Sequence, residues 1–220
     1  MGIPFRMNYL IAASRGGGIK EMIPKKYLDH AEVKPGATIA KLAETAVSLL
    51  PPPRRNISSP HVYIMAGIPD LTIKVKSDDP CYCYTESIFI DEPITAIARV
   101  KNEIDLCGQS IRQAGGIPIF CTITNGNIAK YNHTFLTDGR TSTHHHNDMH
   151  SRLTESIDEI NYYIDTTNQR AGMSTPMCHR AIQQRRGRRG SYYIYQWEGL
   201  HDGIHGTPGT RKTWAESIKA

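Results

Sequence analysis

An aspartate and a histidine three residues apart could supply two of the three groups of an acyl-transfer relay. They are Asp202 and His205, in the stretch Leu200-His201-Asp202-Gly203-Ile204-His205-Gly206-Thr207-Pro208. The pair lies on a loop just ahead of Pro208, a residue suited to open a helix. A carboxylate beside an imidazole fixes the ring's tautomer and stabilises it when it takes up a proton. Such a pair still needs a nucleophile. Near the other end of the chain, Ser14 follows the apolar run from Asn8 to Ala13 and opens the loop Ser14-Arg15-Gly16-Gly17-Gly18. A serine hydroxyl attacks poorly until a base removes its proton. Ser14 as nucleophile, His205 as base and Asp202 as its orienting acid therefore make one consistent set. Taken singly, each has a plainer reading: Ser14 as a turn residue, Asp202 as a helix cap, His205 as a loop histidine. The glycine run could also cradle an anion at a helix N-terminus.

A relay of residues so far apart needs a fold that brings them together. The 220 residues, 39% hydrophobic and 21% charged, predict one soluble globular domain over 1–220. No stretch approaches a membrane span. Apolar runs at Asn8 to Ala13, His61 to Ala66 and Ile117 to Thr124 read as buried strands. Between and after them come helical periodicities. Ile39, Leu42, Ala43, Ala46, Val47 and Leu50 follow Thr38 and stop at Pro51-Pro52-Pro53. Ile94, Ile97, Val100, Ile104 and Ile111 run from about Pro93 to Gly115-Gly116. Leu153, Ile157, Ile160 and Ile164 mark a third helix, and a last one runs from about Pro208 to Ile218. Short apolar strands alternating with helices predict a mainly parallel sheet covered on both faces, a three-layer α/β/α sandwich of flavodoxin-like type. Ligands bind such sheets at the carboxyl ends of the strands, which puts Ser14, Gly67 to Asp70 and Asn125 along one edge. Lys74 to Glu92 is expected to be an inserted loop or hairpin, and Gly126 to His146 a long loop overhanging that edge.

With the loops in this order the chain resembles the SGNH (GDSL-like) hydrolase superfamily, and the resemblance spreads over nearly its whole length. Ala12-Ala13-Ser14 stands where the family has Gly-Asp-Ser. Pro35-Gly36-Ala37-Thr38 matches the second block, Gly67-Ile68-Pro69-Asp70-Leu71 the third (Gly-x-Asn-Asp), and Asp202-Gly203-Ile204-His205 the fifth (Asp-x-x-His). The resemblance implies a cofactor-free, metal-free serine esterase or deacylase acting on a small-molecule or acylated substrate. Its triad would be Ser14, Asp202 and His205, with the oxyanion held by backbone N–H groups around Ser14, Gly36 and Gly67. The chain departs from the family at Ala13, and at Pro69, which replaces the asparagine that offers a side-chain donor. A weak esterase and a catalytically silent descendant both follow from this.

Arg180 to Arg189 offers a different function. Arg185, Arg186, Arg188 and Arg189, followed by Tyr192, Tyr193, Tyr195 and Trp197, could bind phosphate backbones and stack on bases. A silent descendant would then bind nucleic acid or a protein partner along this edge, and an anion drawn to it would lie near Ser14. The net charge of +5 supports this only mildly. Arginine-rich domains with eroded blocks also look similar to segments carried by mobile genetic elements and viruses. The plainer expectation is a solvated basic loop whose aromatics bury as a last strand of the sheet. A third reading is a zinc enzyme built on His146 and His150, four residues apart, with Asp148 or His133. The five cysteines are an odd, loosely spaced set, so reduced thiols and an intracellular, cytoplasmic setting are expected. The N-terminus lacks a signal-peptide layout. Asn132-His133-Thr134 matches a glycosylation pattern that is expected to be incidental.

Overall fold

The structure is a computed structural model describing residues 7–52, 58–76, 85–89, 92–134, 146–187 and 192–219. Its centre is a parallel sheet. Strand β1 (Asn8–Ala12) pairs on one side with β2 (His30–Val33) and on the other with β3 (His61–Met65). After an antiparallel hairpin of β4 (Thr72–Lys76) and β5 (Thr85–Phe89), β6 (Ile117–Phe120) pairs with β3, giving the order β2-β1-β3-β6. A hairpin is one of the two forms expected for the segment from Lys74; 77–84, with Cys81 and Cys83, lie outside the described residues.

Successive side chains of a strand point to opposite faces, and both faces of this sheet are covered. Ile11, Val62, Ile64 and Phe120 face one core, formed with α1 (Ile39–Leu49), α3 (Pro93–Gln113) and α5 (His146–Arg170). Between α1 and α3 lies the four-residue helix α2 (Ile68–Leu71), and between α3 and α5 the short α4 (Ile128–His133). Leu10, Ala12 and Met65 face the other core, with Trp214, Ala215 and Ile218 of α6 (Pro208–Lys219). The expected three-layer α/β/α sandwich is what the chain forms. Among the described residues no helix is long and apolar enough to cross a membrane.

Three expectations need correction. Ile94 belongs to the expected apolar periodicity of α3 but is 83% exposed, because at 100° per residue it lies off the face that Ala96, Val100, Ile104 and Ile111 bury. The segment after Gly126 holds α4, started by Asn127, whose side chain accepts from the Lys130 N–H at 2.9 Å; 135–145 lie outside the described residues. The third apolar run stays buried to Thr124, yet its strand ends at Phe120.

What replaces further strand pairing is a pair of asparagines two turns apart on α5. Asn168 accepts from the Phe120 N–H at 3.1 Å and donates to the Phe120 carbonyl at 2.8 Å. Asn161 does the same for Ile123, at 2.6 and 2.8 Å. A carboxamide carries both a donor and an acceptor, so each side chain stands in for one residue of a missing neighbouring strand. Leucine at 161 would leave a buried N–H and a buried carbonyl unmet. Asn161→Leu is therefore expected to cost about 3 kcal/mol in urea unfolding. A loss below about 1 kcal/mol would show that the clamp contributes no more than an ordinary hydrogen bond.

Candidate active site

Strand β1 delivers Ser14 to the carboxyl edge of the sheet. Ala13 is still extended and its N–H donates to the Met65 carbonyl at 2.9 Å; the chain then turns sharply through a 3-10 turn, Ser14–Gly16. The turn doubles back so closely that a Cβ on Gly16 would collide with the Ala12 side chain.

The loop bearing Asp202 and His205 is tied to itself. Asp202 Oδ1 accepts from the Ile204 N–H at 3.0 Å and the His205 N–H at 2.7 Å, while Oδ2 lies 2.6 Å from His205 Nδ1. The His201 N–H closes the loop on the His205 carbonyl at 2.7 Å. Gly203, at φ 91°, sits where a Cβ would strike the Asn127 carbonyl, so the glycine between acid and base is required both by conformation and by space. Burial alone would raise the Asp202 pKa. The backbone N–H of His205, its ring and the N–H of Ile204 outweigh this and hold the carboxyl below its ordinary value.

A cavity of about 430 Å³ opens over the strand ends. Ser14, Arg15, Gly36, Pro69, Tyr131 and His205 line it, with Met65, Ile68, Ile123 and Ile204 supplying apolar wall. The Tyr131 and His205 rings stand 6.4 Å apart, centroid to centroid. Gly36, at φ 72°, turns the chain out of β2 at the rim. Gly67, at φ 122°, precedes α2, and a Cβ there would collide with the Ile123 side chain. Asp70 is buried, and its carboxylate caps α1 through the Ile39 N–H at 3.0 and 3.3 Å. Its role is structural, but it caps a distant helix as well as closing its own turn. Burial pushes its pKa up to about 6.

This architecture has close counterparts among solved structures. A GDSL-like lipase from Bacteroides thetaiotaomicron matches with a TM-score of 0.61 at 11% identity, covering 100% of this chain and 90% of the other. A carbohydrate acetylesterase from Sinorhizobium meliloti gives 0.54 at 12% identity, over 98% and 97%. A candidate SGNH hydrolase from Slackia heliotrinireducens gives 0.51 at 13%, over 98% of each chain. The chain has the SGNH hydrolase fold. No protein-family model and no curated protein matches the sequence.

Ser14 stands on the loop after β1, where the resemblance leads one to expect a nucleophile, and Pro69 lines the same cavity. The resemblance gave no warning of Arg15, the residue after Ser14. Arg15 is 8% exposed and donates through its terminal nitrogens to the carbonyls of Thr124 and, at 3.3 Å, Asn125. Burial lowers its pKa to about 9, against the pull of Asp202, so it stays charged at neutral pH. The one available signal was an arginine wedged between an apolar strand and three glycines.

The arginine-rich edge lies elsewhere. Arg185 and Arg186 are on β7 (Gln183–Arg186), which pairs only with β8 (Tyr192–Tyr195) in a separate antiparallel hairpin, not as a last strand of the sheet. Arg185 Nε donates to the Tyr193 hydroxyl at 3.0 Å, its guanidinium sits 5.4 Å over that ring, and Arg186 donates to Gln184 at 2.8 Å. Arg188 and Arg189 lie outside the described residues. No residue of β7 or β8 lines the cavity at Ser14, so the described part of this edge does not bring an anion to it. Of the histidine cluster, His144, His145 and the His146 side chain lie outside the described residues. His150 packs edge-on against Trp197 with ring centroids 5.0 Å apart, and burial lowers its pKa. Among the described residues no three His, Cys, Asp or Glu side chains are grouped to hold a metal. Cys107, Cys121 and Cys178 are buried free thiols, and Asn132 is 1% exposed, which keeps a glycan off it in the folded chain.

Proposed function

We propose that the chain is a serine esterase or deacylase using Ser14, His205 and Asp202 without a cofactor. The observation that carries the reading is the Asp202–His205 pair, 2.6 Å apart, whose ring borders the cavity that Ser14 also borders, at the carboxyl edge of the sheet. Asp202 engages Nδ1 and leaves Nε2 as the base. Nε2 takes the Ser14 proton as Oγ bonds to the acyl carbon, and the carbonyl electrons move onto oxygen. Collapse of that adduct breaks the ester bond, and His205 returns its proton to the departing alcohol. Water, deprotonated by His205, then releases the acid and frees Ser14. The oxyanion would be met by the backbone N–H groups of Ser14, Gly36 and Gly67, none of which has a backbone partner among the described residues. The lipase and acetylesterase names of two structural neighbours belong to the same reaction class.

A fluorophosphonate probe tests the nucleophile directly. The parent is expected to be labelled once, at Ser14, and Ser14→Ala not at all. An unlabelled parent, or equal labelling of the variant, would end this reading.

A further inference from the structure

One short piece of chain, residues 124–127, is bonded to both halves of the candidate relay. On the nucleophile side Arg15, next to Ser14, donates through its terminal nitrogens to the Thr124 carbonyl and, at 3.3 Å, to the Asn125 carbonyl. On the base side the Asn127 N–H donates at 2.7 Å to the carbonyl of Gly203, which lies between Asp202 and His205. Gly126 touches both sides: a Cβ on it would come 3.2 Å from an Arg15 terminal nitrogen and 3.5 Å from the Gly203 carbonyl oxygen. The piece is also anchored from behind. The Thr124 hydroxyl donates to the Cys178 carbonyl at 3.1 Å, and the Asn125 side chain donates to the Tyr195 hydroxyl at 2.6 Å. Thr124 and Asn125 are each 1% exposed, so water does not compete for these bonds. Among the described residues no hydrogen bond joins the Ser14 turn directly to the loop of Asp202 and His205, so this bridge is what links them at the sheet edge.

Burying a cation here is costly, and core filling alone would be served as well by an apolar side chain of similar size. What a guanidinium adds is geometry. Its planar fork carries donors in fixed directions and holds two carbonyls at once, whereas a lysine ammonium is a single point charge. We infer that Arg15 is a positioning residue, which sets the distance between Ser14 and His205 by locking the Ser14 turn onto residues 124–127. This role presupposes the esterase reading, in which Ser14 is the nucleophile and His205 the base.

Steady-state kinetics on a short 4-nitrophenyl ester test this, at a temperature where a thermal melt shows each protein fully folded. Arg15→Lys keeps the charge without the fork, and Arg15→Met keeps only the bulk. Both are expected to lower kcat about a hundredfold with KM within about threefold of the parent's, the cost of a misplacement of about 1 Å. Fluorophosphonate labelling of Ser14 should slow in parallel. Arg15→Ala leaves room for a small guest, and millimolar methylguanidinium should raise its kcat about tenfold or more, while methylammonium, lacking the fork, should not. A residue that only supports the fold would leave kcat unchanged in a fully folded variant. Folded Arg15→Lys and Arg15→Met turning over as fast as the parent, or a loss confined to KM, would overturn the inference. Should the Arg15 variants not fold, Tyr195→Phe decides, because it frees the Asn125 side chain and leaves Arg15 in place: a lower kcat is expected, and an unchanged one would overturn the inference. A parent that neither hydrolyses the ester nor takes the fluorophosphonate would remove the esterase reading and this role with it. An active parent with equally active Arg15 variants would remove this role alone.

Discussion

Replacing Asp202 with asparagine is expected to lower kcat on a short 4-nitrophenyl ester by on the order of 10⁴-fold while leaving the fold intact. The two effects separate because the two carboxylate oxygens have different partners. Oδ1 receives the Ile204 and His205 N–H groups, and an asparagine carbonyl can receive them equally well. Oδ2 faces His205 Nδ1 at 2.6 Å, and an amide NH2 in its place would donate to that nitrogen. The ring proton would then sit on Nε2, where the base must accept one from Ser14. A 10⁴-fold loss corresponds to about 5.4 kcal/mol of transition-state stabilisation. The loop, still closed by its backbone bonds, should keep the melting temperature within a few degrees of the parent's. A drop of less than about tenfold would mean that His205 is not the base, whatever the fate of Ser14.

The same loop shows which parts of the site could be read in the sequence. Asp202 and His205 bond to one another and to His201 and Ile204 beside them, so spacing alone carried their geometry, whereas the Gly203 carbonyl accepts from the distant Asn127 N–H at 2.7 Å. The end of β1 could be read because its apolar run stops where the backbone leaves the sheet, and Ser14 sits at that stop; β2 (His30–Val33), which leads to Gly36, has no apolar run to announce it. What could not be read depends on partners far along the chain. Asn161 and Asn168 look like two polar positions of a helix and declare themselves as sheet partners only across 38 and 48 residues. Arg15 reads as a solvated loop arginine, because nothing near it announces the carbonyls of Thr124 and Asn125 more than a hundred residues later. Tyr192 to Tyr195 read as an edge strand of the main sheet, since β-propensity does not say which sheet a strand will join. Each of these is a tertiary contact overriding a local pattern.

Pro69 is where sequence and structure together make the sharpest demand. It lines the cavity at the second position of α2, with no side-chain donor and no N–H to offer. Removing one oxyanion donor from a hydrolase typically costs on the order of 10²–10³ in turnover. The parent should therefore be a slow enzyme, and Pro69→Asn should recover part of that loss, raising kcat about tenfold or more with little change in KM. The split follows because an oxyanion donor bonds more strongly to the tetrahedral adduct than to the resting ester. The substitution is compatible with the backbone: α2 is only four residues long, Gly67 takes the strained conformation, and the helix cap made by Asp70 on α1 does not pass through residue 69. Pairing it with Ser14→Ala should erase the gain completely, because an oxyanion can form only after the serine has attacked. A Pro69→Asn variant no faster than the parent would show that position 69 does not face the oxyanion. The stabilisation would then have to come from the backbone N–H groups of Ser14, Gly36 and Gly67 alone.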